Sequence, residues 1–107
     1  MREAQAAVDA WISQFEEGYW PPMDNLARLM EEVGELAREL NHRYGSKRKK
    51  AEEPEQDLAA ELADVLFALV VIANEQEIDL EDAFAGVMKK YQDRDSERWA
   101  RKEDNAC

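Results

Sequence analysis

From Val65 to Ala73 every side chain is apolar, in a stretch flanked by strong helix formers. A helix that offers water nothing on any side must be covered all round. The run is too short to cross a bilayer. With 107 residues, the chain makes one domain around one core. The other helices of so short a chain cover one side of the run more easily than all of it. A second copy of the chain would bury the rest, so a homodimer with this helix near the interface is expected; the alternative is that the fourth helix and the C-terminal tail cover it alone.

The remaining helices follow from periodicity. Ala4, Val8, Trp11, Ile12 and Phe15 recur at helical spacing and predict a first helix over residues 2–17, ended by Gly18. Trp20-Pro21-Pro22 predicts an extended connection, because the residue before a proline avoids the helical region. A second helix is expected over 24–42, with Asp24 as N-cap and an apolar stripe of Leu26, Leu29, Met30, Val33, Leu36, Ala37 and Leu40. Gly45-Ser46 and the basic residues 47–50 predict a flexible loop over about 45–54. The third helix is expected over 55–76. Asp79 reads as the N-cap of a fourth, with Asp82 in its first turn, that reaches about residue 92, and the tail to Lys102 should continue it. The fold class is therefore all-α: one domain over residues 1–107, a four-helix bundle-like body with a helical C-terminal extension.

Charge narrows the partners. Charged residues make up 36% of the chain and the formal net charge is −11, which disfavours nucleic acid or an anionic membrane as partner. A nucleotide is not disfavoured, since divalent cations would reverse the local field. The single cysteine, Cys107, permits neither an intrachain disulfide nor a cysteine metal site. Residues 1–10 are polar and acidic, unlike a secretory signal. The expectation is a soluble cytoplasmic protein.

Acidic residues interrupt the second and third helices at significant places. Glu31-Glu32 and Glu35 stand in the second, Glu61 and Asp64 in the third. Residues three apart share a helical face, so Glu32 pairs with Glu35 and Glu61 with Asp64. Glu61 and Asp64 also share their stripe with Ala68 and Val71, inside the half that must be covered. Buried carboxylates in a group require a compensating cation or protons. Oxygen ligands without histidine or cysteine suit Mg²⁺ or Mn²⁺. Glu32 and Glu35 lie largely opposite the Leu26–Leu40 stripe, so for them a solvated face competes with a metal site. Lys90, Arg94 and Arg98 recur every four residues, and Arg28 precedes Glu32 by one turn. Such cations serve a polyphosphate or merely pair with surplus surface acids. A ferritin-type di-iron centre fails on ligand count, because His42 is the only histidine.

The order EExxE (Glu31 to Glu35), ExxD (Glu61 to Asp64) and KxxxR (Lys90 to Arg94) resembles the MazG-like nucleoside triphosphate pyrophosphohydrolases. "FEEGYWPPMDNLARLMEEVGELAREL", "ELADVLFALVVIANEQEIDLEDAF" and "KKYQDRDSERW" extend the resemblance over nearly the whole chain. It implies cleavage of a nucleoside triphosphate to monophosphate and pyrophosphate, with canonical, deoxy or damaged nucleotides as substrates. It implies Mg²⁺ held by Glu32, Glu35, Glu61 and Asp64, with Glu31 orienting or deprotonating water. Arg28, Lys90 and Arg94 would engage phosphates, and a homodimer or dimer of dimers would form through the helices. An aromatic wall for the base could come from Trp20, Phe67 or Tyr91, although aromatics at these spacings also serve as core. Asn74 contacts ribose or base, or caps the third helix; His42 faces the base or solvent. The rival from another class is a non-catalytic helical dimer acting as an interaction or regulatory module.

Overall fold

In the computed structural model, residues 1–45 and 58–102 are described. Four helices and, among these residues, no strands are present: α1 (Arg2–Ile12), α2 (Pro22–Tyr44), α3 (Leu58–Glu75) and α4 (Leu80–Asp95). The loop expected over 45–54 lies, beyond Gly45, outside the described residues, as do the basic run and Cys107.

α3 is the central element. α2 packs along it, α1 packs against it, and α4 meets the fold chiefly through α1 rather than lying along α2 or α3. The radius of gyration is 18.6 Å, against about 13 Å for a compact chain of 100 residues. The fully covered apolar core is small, consisting of Ala68, Val70, Val71 and Ala73 on α3. The constraint read from the Val65–Ala73 run is thus met on one side only, for Leu66 and Leu69 remain exposed.

α2 departs most from its sequence pattern. Its inward face is Asn25, Leu29, Glu32, Leu36 and Glu39, while Leu26, Met30, Val33, Ala37 and Leu40 face outward. The expected stripe is therefore split, with only Leu29 and Leu36 turned toward α3. The stripe was wide enough to belong to two faces, and packing on α3 selected the one that carries the carboxylates.

Helix ends follow local chemistry. α1 stops at Ile12 rather than near residue 17, because Phe15 N–H turns back to the Ile12 carbonyl (3.1 Å) and Gly18 N–H to that of Phe15 (3.2 Å). Gly18 has a φ of 65°, which a residue without Cβ adopts at little cost. Pro22 starts α2 at its first position, where a missing N–H costs nothing. Asp24 consequently sits in the first turn and is not the N-cap. At the end of α3 the Ile78 N–H bonds the Ala73 carbonyl at 2.8 Å, with Glu77 left-handed at φ 57°, a Schellman-type stop. Asp79 caps α4 as expected, accepting from the N–H groups of Glu81 (2.9 Å) and Asp82 (3.4 Å). α4 reaches Asp95, a turn follows, and Arg98 lies in that turn rather than in helix.

The first turns of α1 and α4 hold each other. Glu81 accepts from the N-terminal ammonium (2.8 Å) and from Arg2 N–H (3.2 Å), capping α1 from outside. The Arg2 guanidinium returns the contact to Asp79 (3.0 Å) and Asp82 (2.8 Å). The N-terminal ammonium and Arg2 N–H hold the Glu81 carboxyl below its usual range. Asp79 is also held low: burial pushes it upward, but the Arg2 guanidinium and its two capped N–H groups outweigh that.

Candidate metal centre

The α2–α3 packing brings together carboxylates that are far apart in sequence. Glu32 faces inward from α2, and Glu61 and Asp64 stand one turn apart on α3. Each of the three offers an oxygen within 4.8 Å of the others. Glu61 is 8% exposed, Glu32 is half-buried, and Asp64 opens to solvent. Glu32 Oε2 and Glu61 Oε2 are buried without a hydrogen-bond partner. Burial first, then the charges of Glu35, Asp64, Glu32 and Glu39, push the Glu61 carboxyl above its ordinary range. Glu35 is exposed and lies outside the close trio, although its charge is felt at Glu61. Glu31 is exposed on α2.

Arg28 stands between this cluster and an aromatic cavity. Its Nε lies 3.5 Å from Glu32 Oε1. Its guanidinium carbon is 5.7 Å from the Trp20 ring centre and 6.0 Å from that of Phe67, within cation–π range. The cavity encloses about 320 Å³ and is lined by Trp11, Phe15, Tyr19, Trp20 and Phe67 among others, a volume suited to a small ligand. Against Trp20, Arg28 and Phe67 lies a small side recess that Asn25 also lines. Asn25 donates its Nδ2 to the Trp20 carbonyl at 3.0 Å, while its buried Oδ1 has no partner.

Other expected site residues are placed elsewhere. Lys90 and Arg94 project from α4, each with its cationic head 5.2 Å from the Tyr91 ring centre, on a helix that does not lie along α2 or α3. Asn74 exchanges hydrogen bonds with Gln5: it accepts from Gln5 Nε2 and donates to the Gln5 carbonyl, both at 3.0 Å. Gln5 in turn accepts from Leu80 N–H at 2.9 Å, so Asn74 ties α3 to α1 and to the start of α4. His42 is half-buried near the end of α2. Neither Asn74 nor His42 lines the aromatic cavity. Sequence reasoning missed Glu39, 3% exposed and paired with Arg43 at 2.9 Å; its spacing from Glu32 and Leu36 was the available signal. It also missed Asn25 and the α1 side of the cavity.

The acid trio, its orphaned oxygens and the adjoining arginine form an arrangement that can hold a divalent cation beside a phosphate. The model of the MazG nucleotide pyrophosphohydrolase domain matches residues 21–99. The chain belongs to the MazG nucleotide pyrophosphohydrolase family. It is 54% identical over 104 residues to YpjD of Bacillus subtilis, an uncharacterized protein, in an alignment covering 97% of this chain and 94% of YpjD. The crystal structure of B. subtilis YPJD, provisionally assigned as a pyrophosphatase, superposes with a TM-score of 0.77 at 53% identity, covering 84% of this chain and 92% of that one. A Bacillus-conserved MazG protein, a nucleotide pyrophosphohydrolase, gives a TM-score of 0.73 at 42% identity, covering 99% and 94%. The MazG match begins at Pro21, so α1 and its share of the aromatic cavity lie before the matched segment. No described helix is long and apolar enough to cross a membrane.

Proposed function

We propose that the protein hydrolyses nucleoside triphosphates to the monophosphate and pyrophosphate with Mg²⁺, or Mn²⁺ as a substitute, held by Glu32, Glu61 and Asp64 and joined by Glu35. The observation that carries this reading is the pair of buried, unpartnered oxygens, Glu32 Oε2 and Glu61 Oε2, in a chain of this family. Orphaned buried carboxylate oxygens are costly in the free protein, and a divalent cation satisfies them where neighbouring protein groups do not. Among available cations the all-oxygen donor set favours a hard one. When bound, Mg²⁺ supplies positive charge to phosphate oxygens and makes water more acidic.

The chain's own residues do the rest. Arg28, whose guanidinium lies against Trp20 and Phe67 beside Glu32, engages a phosphate oxygen. The aromatic cavity takes the base by stacking, and Asn25 Oδ1 offers an acceptor to an amino or ring N–H, directly or through one water. Glu31, exposed beside Glu32, orients or deprotonates the attacking water. Lys90 and Arg94 spread the charge of the departing pyrophosphate. Asn74, occupied with Gln5, serves this arrangement by positioning α1, and His42 stays outside it. The outward stripes of α2, α3 and α4 are covered in a homodimer, or a dimer of dimers, in the cytoplasm.

The test is incubation with a panel of canonical, deoxy and oxidised triphosphates plus Mg²⁺, with separation of the products. Monophosphate with pyrophosphate is expected. Diphosphate with phosphate, or no turnover of any nucleotide, would overturn the reading.

A further inference from the structure

The amide of Asn25 is only half used. The residue is 2% exposed, its Nδ2 donates to the Trp20 carbonyl at 3.0 Å, and its Oδ1 is buried without a partner. A buried acceptor left in this state costs free energy in the free protein and marks a place where a donor is missing. Asn25 lines a recess of about 10 Å³, the room of one water-sized group. Trp20, Arg28, Phe67 and Val71 line both this recess and the aromatic cavity, so the recess adjoins the cavity. Among the side chains that line the recess, Asn25 alone carries a hydrogen-bond acceptor.

The Trp20 carbonyl fixes which way the amide points. Turning it over would set Oδ1 against that carbonyl, acceptor to acceptor, and forfeit the bond. Asn25 therefore presents oxygen, not nitrogen, to whatever enters the recess. Arg28, the cation at the recess, is drawn to Glu32 at 3.5 Å. Asn25, Arg28 and Glu32 share one face of α2 at helical spacing. At about 1.5 Å of rise per residue, Asn25 stands about 10 Å from Glu32 along the helix. An acceptor for the base, a cation for phosphate and an acid for the metal thus follow one another in the order in which a nucleotide carries the groups they meet.

We infer that Asn25 selects the nucleobase: the site takes adenine or cytosine, through the amino group at purine C6 or pyrimidine C4, and rejects their deaminated counterparts, hypoxanthine and uracil. The inference rests on the proposed function for the presence and orientation of a nucleotide, and it narrows the base. An exocyclic amino group projects from the ring as a single donor, the shape that a one-group recess admits. The ring N–H of uracil or thymine is flanked by two carbonyl oxygens, which meet the walls first. With an oxo group at the same position, two acceptors face each other in a buried site and neither reaches water. Guanine carries oxygen there as well, and its amino group lies nearer the sugar, so it falls with the rejected bases. The aromatic faces of the cavity stack a purine or a pyrimidine alike, so ring size is not what Asn25 reads.

The test compares substrates that differ at that one position. Turnover with Mg²⁺ is measured for ATP against ITP and for CTP against UTP, with purine ribonucleoside triphosphate, which bears hydrogen at C6, as a third purine. kcat/KM is expected to be about 10- to 100-fold higher for ATP than for ITP and for CTP than for UTP, with the C6–H analogue between ATP and ITP. Cleavage of ITP and UTP as efficient as that of their amino partners would overturn the inference and leave the proposed function standing. Asn25→Leu removes the acceptor and should bring both ratios close to one. A merely structural Asn25 would lower all substrates alike and keep the ratios, which would also overturn the inference; the wild-type ratios decide it whether or not the variant folds. A second measurement needs no turnover. In calorimetric titration with Mg²⁺ present, AMP is expected to bind about 10-fold more tightly than IMP. Equal affinities, or binding of neither, would overturn the inference even where no triphosphate is cleaved.

Discussion

Glu32 on α2 and Glu61 on α3 present carboxylate oxygens within 4.8 Å of each other, and Oε2 of each is buried without a hydrogen-bond partner. The pair joins the two helices that pack most extensively on each other. A cation that satisfies both oxygens would therefore bridge the helices as well as serve chemistry. Thermal unfolding should show this directly: Mg²⁺ is expected to raise Tm in a saturable way, and Glu61→Gln to abolish most of that rise. A Tm equally responsive to Mg²⁺ in the variant would place the cation elsewhere. Turnover by Glu61→Gln should fall by about 100-fold or more.

The raised carboxyl of Glu61 sets the pH dependence of the metal-free protein. Its folded-state pKa lies above its unfolded value, so the folded state binds this proton more tightly. The stabilisation is complete below the unfolded pKa and is lost as pH rises through the folded one. Asp79 and Glu81 are lowered, so their contribution is lost as pH falls through the carboxylate range. Metal-free Tm should therefore decline on both sides of a mildly acidic maximum. Glu61→Gln is expected to flatten the alkaline side alone, and Tm measured from pH 4 to 8 in EDTA checks it.

The reciprocal bonds between Asn74 and Gln5 make Asn74 a structural residue of the α1–α3 junction. Asn74→Ala removes both bonds to Gln5, which keeps those to the Ile78 carbonyl and Leu80 N–H, and should cost about 1–2 kcal/mol in urea unfolding. At a temperature where the variant is folded, its KM should change little. A large KM effect without loss of stability would return Asn74 to the nucleotide.

Trp20 forms one wall of the aromatic cavity and one face of the Arg28 contact. Trp20→Ala should raise KM about 10-fold, corresponding to the 1–3 kcal/mol of a base–aromatic stack, with a smaller effect on kcat. Steady-state kinetics on the best substrate of the panel decides this.

Val70 is 1% exposed at the centre of α3. Val70→Ala removes two buried methyl groups and leaves a cavity, so a loss of about 2 kcal/mol is expected. Its position away from the carboxylates predicts unchanged Mg²⁺ dependence, readable from the same unfolding curves with and without the cation.

Much of this was legible in the residues themselves. The apolar run Val65–Ala73, the Asp79 cap and the spacing of Glu61 with Asp64 are local patterns, and local hydrogen bonding and helical phase suffice to interpret them. The sequence by itself determined four helices, the acids on two of them, and an apolar run that has to be covered. It did not decide which face of α2 turns inward, because Leu29 and Leu36 belong to one face and Leu26, Met30, Val33 and Leu40 to another. Nor did it decide that α1 and the turn after it, through Trp11, Ile12 and Phe15, would wall the cavity, or that α4 would lead away from the acids. Those outcomes depend on contacts between residues distant along the chain: the α2–α3 seam, the Asn74–Gln5 bonds, and Arg2 held by Asp79 and Asp82. Helical phase is a property of neighbours in sequence, whereas the choice between two usable faces is made only when another helix arrives to bury one of them.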